Sequence, residues 1–230
     1  MAAVSWTGGK DCALALHEAT AHGLEVRLLV TFAPENPSFR AHPIPLMKAQ
    51  AAAIGLPHMF LTIRPPAYDE SYEAALRQLQ EEYGITYLVT GDIDFIGAST
   101  TNYMNERCAA VGMDIFTPLW QRPRESLIQR LLECRFHIIF SCVKEASFPD
   151  SKAWLGRTID ATALADLRAL HASRGVDVCG ENGEYHTMVL GAPYFDHTLL
   201  LPPFTIESKD GLSCLRFEDA TQTTVQGHAA

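Results

Sequence analysis

The stretch AVSWTGGKDCALAL, residues 3–16, decides how the rest of the chain is read. A short apolar run ends in two glycines, a lysine and an aspartate, then passes at once into an Ala/Leu-rich pattern of helical spacing. A strand that enters a helix this way presents the free N–H groups of the helix start. Together with the helix dipole, they favour an anion. Gly8 and Gly9 are free to take positive φ and to bring the backbone close to an oxygen cluster. Lys10 adds a positive charge for phosphate, and Asp11 is placed to cap the helix. The spacing is neither that of a Walker A loop nor that of a GxGxxG dinucleotide turn. Locally, the stretch is either a phosphate cradle of another kind or an ordinary tight turn.

Outward from that turn, the first half of the chain alternates. Strand patterns at Ala3–Trp6, Leu24–Phe32, Met59–Ile63, Tyr87–Thr90 and Ile115–Leu119 are separated by helix patterns at Cys12–His22, Leu46–Ile54, Tyr68–Tyr83 and Thr101–Val111. Gly23, Gly55, Gly84 and Gly112 stop those helices, and a proline-rich loop covers Pro34–Pro45. The alternation predicts an α/β fold: a parallel, doubly wound, Rossmann-like sheet covered by helices on both faces.

After Pro123 the rhythm changes. A helix at Ser126–Arg135, an apolar strand at Phe136–Val143 and a helix at Ala161–Ser173 lead to a glycine-rich segment, CGENGEYHT at 179–187. A β-hairpin over Thr198–Glu218 turns around Lys209-Asp210-Gly211. The expected organisation is a nucleotide-binding domain over 1–122, a smaller α+β substrate-binding subdomain over 123–220, and a flexible tail over 221–230.

In the strand order 3-2-1-4-5, the order reverses between strands 1 and 4, and ligands bind beyond the strand ends at such a point. TGGKD follows strand 1, and Gly91-Asp92-Ile93-Asp94 follows strand 4. Asp92 there offers carboxylate oxygen to a Mg²⁺ bound to phosphates. Its other reading is a strand-ending turn in which Asp92 caps a nearby helix.

Bulk properties narrow the function. A net charge of -9 over 230 residues argues against nonspecific nucleic-acid binding, which needs basic surface. Six cysteines without a CxxC pair exclude a zinc ribbon or redox motif. With 47% hydrophobic residues the chain builds a full core, so these cysteines are expected as reduced thiols in a cytoplasmic protein. No signal peptide pattern opens the chain, and no apolar run approaches the ~20 residues that span a bilayer.

Ser5-Trp6-Thr7-Gly8-Gly9-Lys10-Asp11-Cys12 resembles the SGGKDS loop of the PP-loop (N-type) ATP pyrophosphatases. Gly91-Asp92-Ile93, Pro118-Leu119-Trp120 and Gly180-Glu181-Asn182-Gly183-Glu184-Tyr185-His186-Thr187 further resemble the diphthine–ammonia ligase family within that group, in matching order along nearly the whole chain. The resemblance implies a PP-loop (HUP-type) fold binding ATP at Ser5, Thr7, Gly8, Gly9, Lys10, Asp11 and Cys12, with Thr31, Phe32, Gly91 and Asp92 nearby and Mg²⁺ at Asp92. It implies a carboxylate that attacks the α-phosphorus of ATP to give an acyl-adenylate and pyrophosphate. Ammonia then displaces AMP to leave an amide.

On this resemblance the GENGEYHT segment is the substrate site. Glu184 or Glu181 would bind ammonium and accept its proton, and His186 would orient the carboxylate or assist the transfer. Read as residues alone, the segment is a tight loop whose Glu and His satisfy backbone donors. The implied acceptor is diphthine, a modified histidine of elongation factor 2 in archaea and eukaryotes; in a bacterial chain another carboxylic acid must take its place. Nucleic acid is not an expected direct partner, and a homodimer is admitted. Thr7 and Cys12 stand where the family loop has serines, and Cys12 reads as a packing residue rather than a nucleophile. Trp120 reads as a core or domain-joint residue, and His42 as part of a loop cover without a catalytic role. Two other functions stay open: a PP-loop pyrophosphatase acting on another substrate such as a tRNA base, and a nucleotide-binding regulator without turnover.

Overall fold

The computed structural model describes residues 1–95 and 100–217. The predicted tail at 221–230 and Glu218, the last residue of the predicted hairpin, lie outside the described residues. The chain forms two compact units. The first comprises Met1–Thr7, Asp11–Pro37 and Leu56–Gln121; the second comprises Gly8–Lys10, Ser38–Gly55 and Arg122–Ala230.

The first unit follows the predicted alternation. In chain order, its elements are β1 (Ala2–Ser5), α1 (Lys10–Ala21, whose first residue counts with the second unit) and β2 (Val26–Ala33). After α2 (Ile44–Ile54), which belongs to the second unit, come β3 (His58–Thr62), α3 (Tyr68–Tyr83), β4 (Tyr87–Val89), α4 (Tyr103–Ala110) and β5 (Asp114–Phe116). The five strands are parallel in the order β3-β2-β1-β4-β5, so the reversal lies between β1 and β4 as the sequence predicts. Val30 and Leu88 on the sheet pack with Leu76 and Leu79 of α3 and Ile85 in one buried cluster. Strands buried on both faces read as continuous apolar runs, which is why LEVRLLVTF was legible as β2.

The second unit adds α5 (Arg124–Glu133), β6 (His137–Lys144), α6 (Ser151–Trp154), α7 (Ala161–Arg174), β7 (Tyr185–Gly191), β8 (Phe204–Lys209) and β9 (Leu212–Phe217). Its strands form an antiparallel sheet in the order β7-β6-β9-β8. Phe140, Phe148, Trp154 and Tyr185 meet edge to face in its core. The β8–β9 turn has Asp210 at φ 55° and Gly211 at φ 75°, two consecutive positive values that suit a tight hairpin.

Three expectations need correction. Helix α1 starts at Lys10, not Cys12, so Asp11 lies inside its first turn instead of capping it. The acidic side chain still favours that end of the helix dipole. The glycine-rich 179–187 segment is not loop throughout: Tyr185, His186 and Thr187 begin β7. The cysteines are not all thiols, because Cys142 and Cys214 form a disulfide. They are 72 residues apart in sequence but directly opposite in the β6–β9 register, a neighbourhood that spacing along the chain does not reveal. Cys12, Cys108, Cys134 and Cys179 are free thiols.

Candidate functional site

The first unit contains a cleft of about 240 Å³ beyond the ends of β1, β2 and β4. Ser5, Thr7, Thr31, Phe32 and Asp92, all predicted site residues, line it. The Thr31 hydroxyl proton is engaged: it is donated to the Trp6 carbonyl at 2.5 Å, and the oxygen lies 2.8 Å from His58 Nε2. Thr31 therefore shapes the floor and has no hydroxyl proton left for a ligand.

Phe32, Tyr72 and Tyr103 form one aromatic wall, with ring centroids 5.1 and 5.5 Å apart. Sequence reasoning missed both tyrosines because they belong to helices far along the chain. Trp120, expected as a core or domain-joint residue, is only half-buried and lines the cleft edge-on to Phe95.

Asp92 accepts a hydrogen bond from Thr90 Oγ1 at 2.9 Å and another from the Asn102 side chain. Burial pushes its carboxyl above the ordinary range; these two hydrogen bonds pull it down, and the charge of Asp11 pushes it up. Asp92 does not cap α4, whose cap is Asn102, accepting from Asn105 N at 3.0 Å. Gly91 serves packing. A Cβ there would lie 2.6 Å from backbone atoms of Asp11 and Cys12, so only glycine lets the end of β4 touch the first turn of α1. Cys12 Sγ lies 3.8 Å from the Thr7 hydroxyl, beside the loop.

The second unit holds the glycines of the loop. Gly8 takes positive φ (80°), as expected; Gly9 does not. A Cβ at Gly9 would make ordinary contacts, 3.4 Å from His42 Cε1 and from the Thr187 carbonyl. The Gly8 carbonyl accepts from Gln50 Nε2 at 2.9 Å and from Val189 N at 3.0 Å. Gln50 Nε2 also donates to the Val189 carbonyl at 2.7 Å. The Lys10 amide donates to Thr187 Oγ1 at 3.0 Å, a contact across 177 residues of sequence. Lys10 itself is buried, its ammonium 5.3 Å from the centre of the Tyr185 ring. Gln50 was missed by sequence reasoning, although a glutamine in the Ala-rich helix KAQAAAI is a visible signal of a buried polar role.

The GENGEYHT residues divide by the pleat of β7. Tyr185 and Thr187 point inward and are buried, whereas His186 is exposed. Tyr185 donates its hydroxyl to the Val178 carbonyl at 2.6 Å and so supports the loop from within. Gly180, at φ 74°, would place a Cβ 2.8 Å from the Tyr185 ring.

Glu184, expected with Glu181 as an alternative ammonium base, has a structural role in the loop. Its buried carboxylate accepts from Asp177 N at 2.8 Å, Asn182 N at 2.9 Å and Asn182 Nδ2 at 3.3 Å. It ties the loop together. Glu181 is half-buried, and Asn182 and Gly183 are exposed.

His42, expected to be a bystander, borders Gly9, and its ring stands edge-on to that of His186 at 5.6 Å. Burial, then the charges of His186 and Lys10, lower its pKa to about 3, so it stays neutral.

Comparison with known proteins adds to this geometry. The family model described as Diphthamide synthase N-terminal domain matches residues 1–115, and that described as Diphthamide synthase C-terminal domain matches residues 123–208. The proteins of Bos taurus and Homo sapiens named diphthine–ammonia ligase are each 24% identical over 216 residues, covering 85% of this chain and 80% of theirs. The Danio rerio protein of the same name is 30% identical over 113 residues, 46% of this chain and 42% of that one. Among solved structures, a predicted subunit of tRNA methyltransferase from Methanocaldococcus jannaschii matches with a TM-score of 0.47 and 19% identity, over 83% of this chain and 96% of that one.

Proposed function

This chain belongs to the diphthamide synthase family, and from that premise we propose that it is an ATP-dependent amide ligase. In the proposed reaction, a carboxylate oxygen of the acceptor attacks the α-phosphorus of ATP and pyrophosphate leaves. Ammonia then attacks the acyl carbon of the adenylate, AMP leaves, and the nitrogen gives up a proton. The acceptor is diphthine or a diphthine-like acid. A carboxylate oxygen is a poor leaving group, so the acid must be activated before an amine can displace it. The first step is governed by positioning and by neutralising the departing phosphates.

The observation that carries this reading is the hydrogen bond from the Lys10 amide to Thr187. It joins the phosphate loop to the strand that carries the GENGEYHT motif. The loop is rigidly formed, with the Gly8 carbonyl held by Gln50 and Val189. The Lys10 ammonium would neutralise phosphate charge in a buried setting, where a point charge acts strongly. Phe32, Tyr72 and Tyr103 offer flat faces for the adenine ring.

Mg²⁺ fits Asp92: a carboxyl destabilised by burial and by neighbouring Asp11 gains from a hard cation. The bound ion would stabilise charge on the leaving pyrophosphate. Glu181, Glu184 and exposed His186 are the candidate groups to accept the ammonium proton.

The test is to incubate the protein with ATP, Mg²⁺, ammonium and a panel of carboxylic acids, diphthine included, and to follow AMP. Ammonium-dependent AMP release is expected, and Lys10→Ala should lower it by about 10²-fold or more with the fold retained. ATP binding without AMP from any acid would overturn the ligase reading.

A further inference from the structure

One nitrogen beside the phosphate loop has no assigned work. His42 Nδ1 is sealed from solvent and has no hydrogen-bond partner among the described residues. Buried polar atoms are nearly always paired, and each exception calls for an explanation. Leaving such an atom unpaired forfeits the hydration it had in the unfolded chain.

The ring is not there by accident of a loose loop. Arg40 Nη2 donates to the Lys209 carbonyl at 3.0 Å, and Arg40 Nη1 lies 3.6 Å from Asp210, so the segment is fastened to the β8–β9 turn. Ala41 is buried against the Cys142–Cys214 bridge and Leu212. On the other side, Pro43 leads directly into α2, the helix that carries Gln50. The segment is thus held at both ends, and it delivers the His42 ring to Gly9, with Cε1 3.4 Å from where a Gly9 side chain would begin. Cε1 is bonded to both ring nitrogens, so whichever one carries the proton lies one bond from the atom that borders the loop.

A histidine in a working site usually has its tautomer fixed by a partner on the far nitrogen. His42 Nδ1 has none among the described residues. We propose that His42 donates its ring N–H to an oxygen of the anion bound at Gly8–Lys10, and that this ligand, not the protein, selects the tautomer.

The proposal rests on the nucleotide assignment above and adds a residue that no motif carries. A neutral donor suits the place. Lys10 already supplies charge, and burial first, then the charges of His186 and Lys10, keep His42 in its neutral form. A neutral N–H instead follows oxygens whose charge moves as the α-phosphorus changes partners, and needs no counter-ion of its own.

The experiment uses the full chain labelled with ¹⁵N-histidine and Mg·ATP as the probe. Ring-nitrogen shifts report the tautomer directly, and calorimetry on the same sample reports binding. The two His42 nitrogens should be averaged between tautomers without nucleotide and should resolve into one tautomer at saturating Mg·ATP. His42→Phe should weaken Mg·ATP binding about tenfold or more, the worth of a hydrogen bond to a charged group, whereas His42→Gln should retain most of the affinity. An unchanged tautomer ratio at saturation, or a His42→Phe protein that binds like wild type, would overturn the role of His42 while leaving the nucleotide assignment standing. Absence of Mg·ATP binding by wild type in the calorimeter would overturn both.

Discussion

Replacing Gly91 by alanine tests the close approach on which the phosphate loop depends. Gly91 has no positive φ, so the backbone itself accepts alanine and the penalty is contact alone. The added methyl would lie 2.6 Å from the Asp11 carbonyl carbon and the Cys12 nitrogen, and 2.8 Å from the Asp11 oxygen. All three are backbone atoms in the first turn of α1, so no side chain can swing aside. Restoring an ordinary contact of 3.4 Å requires the strand end and the helix start to part by about 0.8 Å. Overpacking of this kind costs about 1–3 kcal/mol, which lowers Tm by roughly 2–4 °C per kcal/mol for a chain of this size. Gly191→Ala is the comparison: its φ is also ordinary, but the closest atom is 3.3 Å away and is the end of a threonine side chain. Circular-dichroism melts should show a drop of several degrees for Gly91→Ala and a smaller one for Gly191→Ala, with Mg·ATP affinity weakened only in the former. A Gly91→Ala protein that melts within about 1 °C of wild type and binds nucleotide normally would refute the reasoning.

Two further outcomes are expected. Glu184→Gln turns one of the two acceptor oxygens into a donor facing one or two of the N–H groups it now serves, so it should cost about 1–3 kcal/mol of stability in a thermal melt; an unchanged Tm would remove Glu184 from its loop-binding role. His42 has a folded pKa of about 3 against 6.5 in the unfolded chain, so the unfolded state binds the extra proton between those values. Stability contributed by neutral His42 is therefore complete above about pH 6.5 and is lost as pH falls toward 3, with a limiting slope of about 1.4 kcal/mol per pH unit. Urea titrations of wild type and His42→Gln across that range should diverge with this sign, and parallel curves would contradict it.

The parallel sheet was legible because buried strands and glycine-stopped helices leave local marks. The β1–β4 switch point followed from strand order, and it led to Thr7 and Asp92, while Ser5 came from the family resemblance. What was not legible depends on registers that local patterns do not encode. The Cys142–Cys214 bond needs the β6–β9 pairing. The engaged carboxylate of Glu184 needs the turn at Asp177. His42 looked like a loop residue because nothing near it in sequence announces Gly9 as its neighbour. The motif itself was misjudged at its end, since EYHT carries the inward–outward alternation of a strand, which the glycines before it masked.

The bracing of Gly8 and Lys10 bears on how far this chain can be dissected. The partners of these two residues, Gln50, Thr187 and Val189, include two from the chain's last third. A fragment cut after Gln121 would retain the whole TGGKD signature yet lose Thr187 and Val189. Its carbonyl at Gly8 and amide at Lys10 would turn to water, and the turn would relax into one of several shapes. The signature is thus necessary but not self-sufficient, and transplanting it into another sheet without a β7 equivalent would move the letters and leave the grip behind.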